Sequence, residues 1–136
     1  MRILVIDGMG GGIGKLIIEK IKHEFANIEI IAVGTNTVAT SVMLKAGADF
    51  GATGENAVIY NSQRADYIIG VIGIILANSM HGEVSPKMAE AVSHSMAHKL
   101  LIPIEKCSVT IMGVATAPIQ TYVAEIAEKL HVMSHH

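Results

Sequence analysis

Five glycines lie within seven residues of each other near the N-terminus, directly after an apolar run, and this is the stretch best suited to chemistry. A loop this rich in glycine permits a tight turn and a close approach of the backbone to a ligand. Where such a loop opens a helix, the unpaired amides of the first helical turn bind an anion. We therefore interpret it as a phosphate-binding loop formed by Gly8, Gly10, Gly11, Gly12, Ile13, Gly14 and Lys15.

The spacing of the glycines identifies the type of loop. The G-x-G-x-x-G pattern fails, because its sixth position is Ile13 counted from Gly8 and Lys15 counted from Gly10. The P-loop pattern also fails, since Leu16 stands where a magnesium-binding serine or threonine is required. The G-x-x-x-G-x-G pattern fits through Gly8, Gly12 and Gly14, and it resembles the loop of short-chain dehydrogenases/reductases, which implies NAD(P).

Each glycine has an expected part in this interpretation. Gly8 permits the turn, Gly10 to Gly12 let the backbone approach a pyrophosphate, and Gly14 lets the helix pack closely on the strand. Lys15 opposes the helix dipole by about 0.3–1 kcal/mol, a cost that an anion at the helix start removes. The alternative is a loop that serves only strand–helix packing, with Lys15 solvated.

The nature of the nucleotide stays open. The second predicted strand is followed by Thr35 and Asn36, which could hydrogen-bond a ribose or a 2′-phosphate, but not by the usual ribose-binding acid. We expect NAD(P) or another nucleotide, including a mononucleotide.

Asp7 lies next to the proposed phosphate site, where its carboxylate would repel a phosphate unless it caps the loop amides. It could instead accept a phosphoryl group in a receiver-like enzyme together with Lys106. The neighbouring second acid that would hold magnesium is absent from the sequence, which disfavours this alternative.

A second polar cluster follows the most apolar predicted strand and consists of Asn78, Ser79, His81 and Glu83. Ligands of open α/β sheets bind beyond the carboxyl ends of the strands, so we expect this ligand or substrate loop near the glycines. A histidine beside a carboxylate suits a general base. The alternative is a polar surface loop.

Other chemistry is disfavoured by spacing. Tyr60, Tyr67 and Tyr122 each lack a lysine four residues later, so the Tyr-x-x-x-Lys pair of short-chain dehydrogenases is absent. Glu90, His94 and His98 would share a face of a helix predicted over 86–98, opposite an apolar stripe of Met88, Val92 and Met96. That face is expected to be solvated, and we predict no metal site.

The elements that position these residues alternate between apolar strands and amphipathic helices. Strands are predicted at 2–7, 28–33, 48–52, 66–73, 100–104 and 108–114, and helices at 12–25, 37–46, 53–64, 86–98 and 118–131. The strand at 66–73 is expected at the centre of the sheet. Only three residues, ending in Cys107, separate the last two strands, so they are predicted to form an antiparallel hairpin.

The predicted fold class is thus α/β: one domain over 1–136 with a three-layer Rossmann-like, mostly parallel sheet and an antiparallel C-terminal hairpin strand. We leave His135 and His136 out of the interpretation, because a terminal histidine pair is also what an affinity tag leaves.

The amino-acid composition limits the classes of partner and the cellular location that we expect. A net charge of −2 and the absence of a lysine/arginine cluster argue against nucleic acid. The longest apolar stretch, 67–77, is shorter than the roughly 20 residues of a membrane span, and we expect no signal peptide. One cysteine suits a reducing compartment, so a cytoplasmic protein is expected. Charged residues make up only 16% against 51% apolar, which favours a homo-oligomer.

Several segments in combination resemble a bacterial family of short Rossmann-like proteins of unknown function: "VIDGMGGGIGK", "GTNTVATSVMLKAGA", "GATGEN", "GIILANSMHGEVSPKMAEA" and "LIPIEKC". The resemblance implies a compact nucleotide-binding domain and supplies no catalytic residues. Three hypotheses follow: a nucleotide-binding or regulatory module, a small phosphoryl-handling enzyme that uses Asp7, and a structural oligomer without a ligand.

Overall fold

The computed structural model describes residues 1–104 and 108–134. Strands and helices alternate along the chain up to the fifth strand. The elements in chain order are β1 (Arg2–Asp7), α1 (Gly12–Glu24), β2 (Glu29–Gly34), α2 (Thr37–Lys45), β3 (Phe50–Thr53), α3 (Glu55–Ser62), β4 (Tyr67–Val71), a 3₁₀ helix (Ile72–Ile75), α4 (Pro86–His94), β5 (His98–Ile102) and α5 (Ile119–Met133).

The five strands form one sheet in the order β3-β2-β1-β4-β5, with every neighbouring pair parallel. The middle strand is β1, where Val5 lies in register with Ala32 of β2 and Ile69 of β4. The prediction that the strand at 66–73 is central was wrong by one position, because β4 lies next to β1. Since all strands run the same way, their carboxyl ends meet at one edge of the sheet.

Helices cover both faces of the sheet, which confirms the predicted three-layer Rossmann-like architecture. Side chains of α1, α2 and α5 pack with Ile3 and Val5 of β1 in one core. Side chains of α3 and α4 pack with Leu4 and Ile6 in the other. Alternate residues of β1 therefore enter opposite cores, which explains why its sequence is a continuous apolar run.

The predicted antiparallel hairpin is wrong. β5 is parallel to β4 because α4 forms the crossover between them, and residues 108–114 form no strand. Ser108 and Gly113 have left-handed backbone with φ of 55° and 82°, which an extended strand does not accommodate. The predicted turn of this hairpin, which contains Lys106 and Cys107, lies outside the described residues.

The predicted helix 86–98 is too long. It begins as expected, with the Ser85 hydroxyl accepting a hydrogen bond from the Met88 amide at 3.2 Å, but it ends at His94. The Ser95 hydroxyl donates to the Ser62 carbonyl at 2.6 Å and accepts from the Ala97 amide at 3.0 Å, which turns the chain out of the helix. His98 consequently belongs to β5, and Met96 is fully exposed instead of buried.

Candidate functional site

The glycine loop joins β1 to α1 through a tight turn, in which the Gly11 amide donates to the Gly8 carbonyl at 3.0 Å. Gly11 is the N-cap of α1 and has a left-handed φ of 73°. A Cβ at this position would lie 2.9 Å from the backbone of Ala39 in α2. The turn therefore requires glycine for both its conformation and its packing.

Asp7 ties the two ends of this loop together. One carboxylate oxygen accepts from the Gly8 amide at 2.8 Å, and the other accepts from the Gly14 amide at 2.7 Å. The side chain is 6% exposed, so both hydrogen bonds are shielded from water. This is the capping arrangement that the sequence offered as an alternative to repulsion of a phosphate.

Gly8 and Gly14 lie where neighbouring groups leave no room for a side chain. A Cβ on Gly8 would lie 2.5 Å from both the Met80 sulfur and the Thr35 hydroxyl, and one on Gly14 would lie 2.5 Å from the Met43 sulfur. Close packing is therefore the observed setting of both residues.

Gly10 and Gly12 have the opposite surroundings, since a Cβ on either would meet no atom within 4 Å. Within the described part of the chain, the amides of Gly10, Gly12 and Ile13 donate to no acceptor. Gly12 and Ile13 are the first two residues of α1, whose amides have no partner inside a helix.

Gly10, Gly12 and Ile13 all line one cavity of about 270 Å³. Its other walls are mostly apolar and come from the ends of β1 and β4 and from the segments that follow β4 and β5. The full lining is Asp7, Gly8, Met9, Gly10, Gly11, Gly12, Ile13, Val71, Gly73, Met80 and Ile104. A row of hydrogen-bond donors beside apolar walls suits a ligand with an anionic group and an apolar portion.

Glu83 comes from the loop before α4 and reaches the turn after β2. Its Oε1 accepts hydrogen bonds from the Thr35 hydroxyl, from Asn36 Nδ2 at 3.0 Å and from the Met9 amide at 3.3 Å. These hydrogen bonds, with the one from the Thr35 hydroxyl as the largest cause, hold the pKa of Glu83 below its ordinary value, and the electrostatic interaction with His81 makes a smaller contribution. A carboxylate therefore does stand at the end of β2, supplied by a distant part of the chain.

Thr35 and Asn36, the predicted ribose contacts, are both engaged within the protein. Besides bonding Glu83, Asn36 accepts from the Ala39 amide at 2.9 Å as the N-cap of α2 and donates to the Met9 carbonyl at 3.0 Å. Lys15 is exposed on the first turn of α1 and forms no ion pair among residues 1–104 and 108–134.

The loop over residues 77–84 has an unusual backbone. Asn78, Met80 and His81 adopt left-handed φ of 66°, 55° and 56°, and Gly82 follows with 87°. Non-glycine residues rarely adopt this conformation, and such strain clusters at ligand sites and switch regions. With this backbone conformation, the Met80 side chain packs against Gly8 and forms part of the cavity wall.

The structure brings only part of the predicted polar cluster to the glycine loop. Glu83 reaches it, whereas Ser79 is buried and its hydroxyl donates to the Gly73 carbonyl below. Asn78 and His81 are exposed around a neighbouring depression. Sequence reasoning missed the apolar wall of Met80, Val71 and Ile104, for which the sequence carries no signal beyond hydrophobicity.

Neither a metal site nor a membrane-spanning helix is present in residues 1–104 and 108–134. No group of three or more histidine, cysteine, aspartate or glutamate side chains there is placed to hold a metal ion. None of the helices in those ranges has the length and apolar content that a bilayer crossing requires.

Comparison with solved structures gives a distant match, the crystal structure of a dodecameric FMN-dependent UbiX-like decarboxylase from Escherichia coli O157:H7. The match has a TM-score of 0.48 and 18% sequence identity, and it covers 96% of this chain and 77% of that chain. A similarity of this size does not extend to cofactor, activity or assembly. No curated protein matches significantly.

A family model matches the chain almost from end to end, over residues 2–134. Its description is "Domain of unknown function (DUF3842)". This agrees with the resemblance to a family of unknown function, while nothing specific to short-chain dehydrogenases was found. The chain belongs to the DUF3842 family.

Proposed function

We propose that this protein is a binding or regulatory module for a small phosphorylated ligand of the nucleotide class. The phosphate would lie on the amides of Gly10, Gly12 and Ile13, and the remainder of the ligand would fill the adjoining cavity. The observation that carries the proposal is that these three residues line the same cavity and that their amides have no acceptor among the described residues.

The electrostatics at this point favour an anion. The N-terminus of a helix carries about half a positive elementary charge, and α1 has no acidic residue in its first turn to offset it. Lys15 adds a full positive charge two residues after Ile13. Asp7 is the neighbouring negative group, and its two oxygens each accept a loop amide.

The apolar walls favour a ligand larger than a phosphate ion. Ile13, Val71 and Ile104 offer no hydrogen-bond donor or acceptor from their side chains, so they suit an uncharged ring. Met80 adds a thioether, a group that makes favourable contacts with aromatic rings. A nucleotide meets both requirements, and NAD(P) is one member of that class.

The test is isothermal titration calorimetry with FMN, NADH, NADPH, AMP and inorganic phosphate. Binding of at least one phosphorylated compound is expected, and Gly12→Val should abolish it by placing a branched side chain over the amides. Thr37→Val is the matched control, because Thr37 is the exposed first residue of α2 just as Gly12 is of α1.

Absence of binding by every compound would contradict the proposal and leave the glycine loop a packing element. Equal binding by the wild type and Gly12→Val would show that the ligand lies elsewhere. The folding control is the thermal unfolding midpoint of Gly12→Val, which should equal that of the wild type because a Cβ on Gly12 meets no atom within 4 Å.

A further inference from the structure

The order of the strands reverses at β1, with β2 on one side and β4 on the other. Dinucleotides bind across such a switch point, with the phosphates on the glycine loop and one nucleoside over the strand on each side. Whether there is free space beside β2 and beside β4 therefore decides which half of a dinucleotide the site can bind.

The β2 side is occupied by the chain itself. Glu83 Oε1 lies where three donors converge, at Thr35, Asn36 and the Met9 amide. Asn36 also bonds the Met9 carbonyl, which closes the space between the glycine loop and the turn after β2. A nucleoside on this side would have to break these hydrogen bonds.

Among residues 1–104 and 108–134, none closes the β4 side as Glu83 closes the β2 side. The cavity of about 270 Å³ is lined there by Val71 at the end of β4, by Gly73 and by Ile104 beyond β5. No residue of β2 or of the turn that follows it lines this cavity. Its volume lies just under the usual range of about 300–1,000 Å³ for small-molecule sites, which suits one ring system better than two.

We infer that the ligand is a mononucleotide-like phosphate monoester carrying one uncharged ring system, and that Glu83 excludes the second half of a dinucleotide. This inference rests on the proposed phosphate site and specifies its substrate class. Exclusion has a steric part and a charge part. The pKa of Glu83 is lowered by its three donors, so the group is ionised at neutral pH and repels a second phosphate directed toward β2.

The experiment compares FMN with FAD, because FAD is FMN extended by an adenosine monophosphate. Quenching of flavin fluorescence gives both dissociation constants with the full-length protein. FMN is expected to bind about tenfold more tightly than FAD, a difference of the size expected for one nearby repulsive charge. NMNH and NADH form a second pair, with the same expected order.

Glu83→Gln separates the charge from the contacts, since the amide oxygen of glutamine can accept the same three hydrogen bonds. In this variant FAD affinity should rise severalfold while FMN affinity stays within about twofold. Glu90→Gln, an exposed position on α4, is the matched control and should change neither.

Equal or tighter binding of FAD and NADH would overturn the inference while leaving the proposed function intact. A preference for FMN and NMNH that Glu83→Gln and Glu83→Ala both leave unchanged would overturn the role of Glu83. If inorganic phosphate and all four compounds fail to bind, the proposed function falls and the inference falls with it.

Discussion

The hydroxyl of Thr35 donates a hydrogen bond to the carboxylate of Glu83, which lies 48 residues further along the chain. Thr35 follows β2, and Glu83 belongs to the loop between β4 and α4, so this contact joins the two sides of the switch point. The same carboxylate oxygen binds the glycine loop at the Met9 amide. One side chain therefore holds together the three loops at the carboxyl end of the sheet.

Glu83→Gln should destabilise the protein in a pH-dependent way. Because the pKa of Glu83 is lowered from its ordinary value of 4.5, the ionised side chain stabilises the folded state above that pH. This contribution is lost as the pH falls through the lowered pKa of the folded state. Replacing charge-assisted hydrogen bonds by neutral ones should cost about 1 kcal/mol at about pH 7.

The measurement is chemical denaturation of the wild type and Glu83→Gln between about pH 7 and pH 3, with the linear extrapolation of unfolding free energy. The two curves should converge below pH 4.5. Asp49, whose pKa is also lowered by the Ile30 amide and by Lys22, is present in both proteins and cancels. A constant difference at all pH values would show that Glu83 contributes by packing alone.

Gly14→Ala should destabilise the fold, whereas Gly12→Ala should not. The new methyl on Gly14 would lie 2.5 Å from the sulfur of Met43, which is fully buried and cannot move aside into solvent. Overpacking of this kind costs about 1–3 kcal/mol. Thermal unfolding of both variants measures the difference, and equal midpoints would contradict the close packing of α1 against α2 and Asp7.

Lys15→Gln should weaken phosphate binding without changing stability. Lys15 is exposed and lies in the first turn of α1, two residues after Ile13, so its charge acts on an anion through solvent. A contribution of about 0.3–1 kcal/mol corresponds to a loss of about two- to fivefold in affinity for FMN. Lys45→Gln, exposed at the end of α2, is the control; an equal loss there would indicate a general effect of net charge.

A homo-oligomer remains a prediction from the low share of charged residues, 16%. The structure adds large apolar side chains on the surface, including Met112 at 86% and Val132 at 57% exposure. Light scattering after gel filtration should give a multiple of 14.4 kDa at micromolar concentration. A mass of one chain over a tenfold range of concentration would refute it.

The parts of the fold that depend on local pattern were predictable. The stripe of Ile17 and Ile21 fixed α1, the Asn36 side chain capped α2, and the Ser85–Pro86 pair started α4. The end of α4 was not predictable, because it depends on the hydrogen bond of Ser95 with Ser62, a residue 33 positions away. The false hairpin arose because the apolar run at 108–114 resembles a strand but packs in no sheet.

In the candidate site, too, the locally determined features were predictable and those that depend on long-range contacts were not. The glycine loop and its helix were evident from sequence because their geometry is local. The position of Glu83 at the end of β2 was not evident, since a loop from the other side of the sheet delivers it through the left-handed residues Met80 and His81. A carboxylate thus stands at the end of the second strand, but it comes from elsewhere in the sequence and is already engaged by Thr35, Asn36 and the Met9 amide.

The most direct test of the central claim is a titration of ¹⁵N-labelled protein with FMN, followed by amide chemical shifts. The amides of Gly10, Gly12 and Ile13 should move together and saturate with one dissociation constant, while those of Gly54 and Gly113, outside the cavity, stay in place. Saturable shifts confined to other residues, or no shifts at millimolar FMN, would contradict the account.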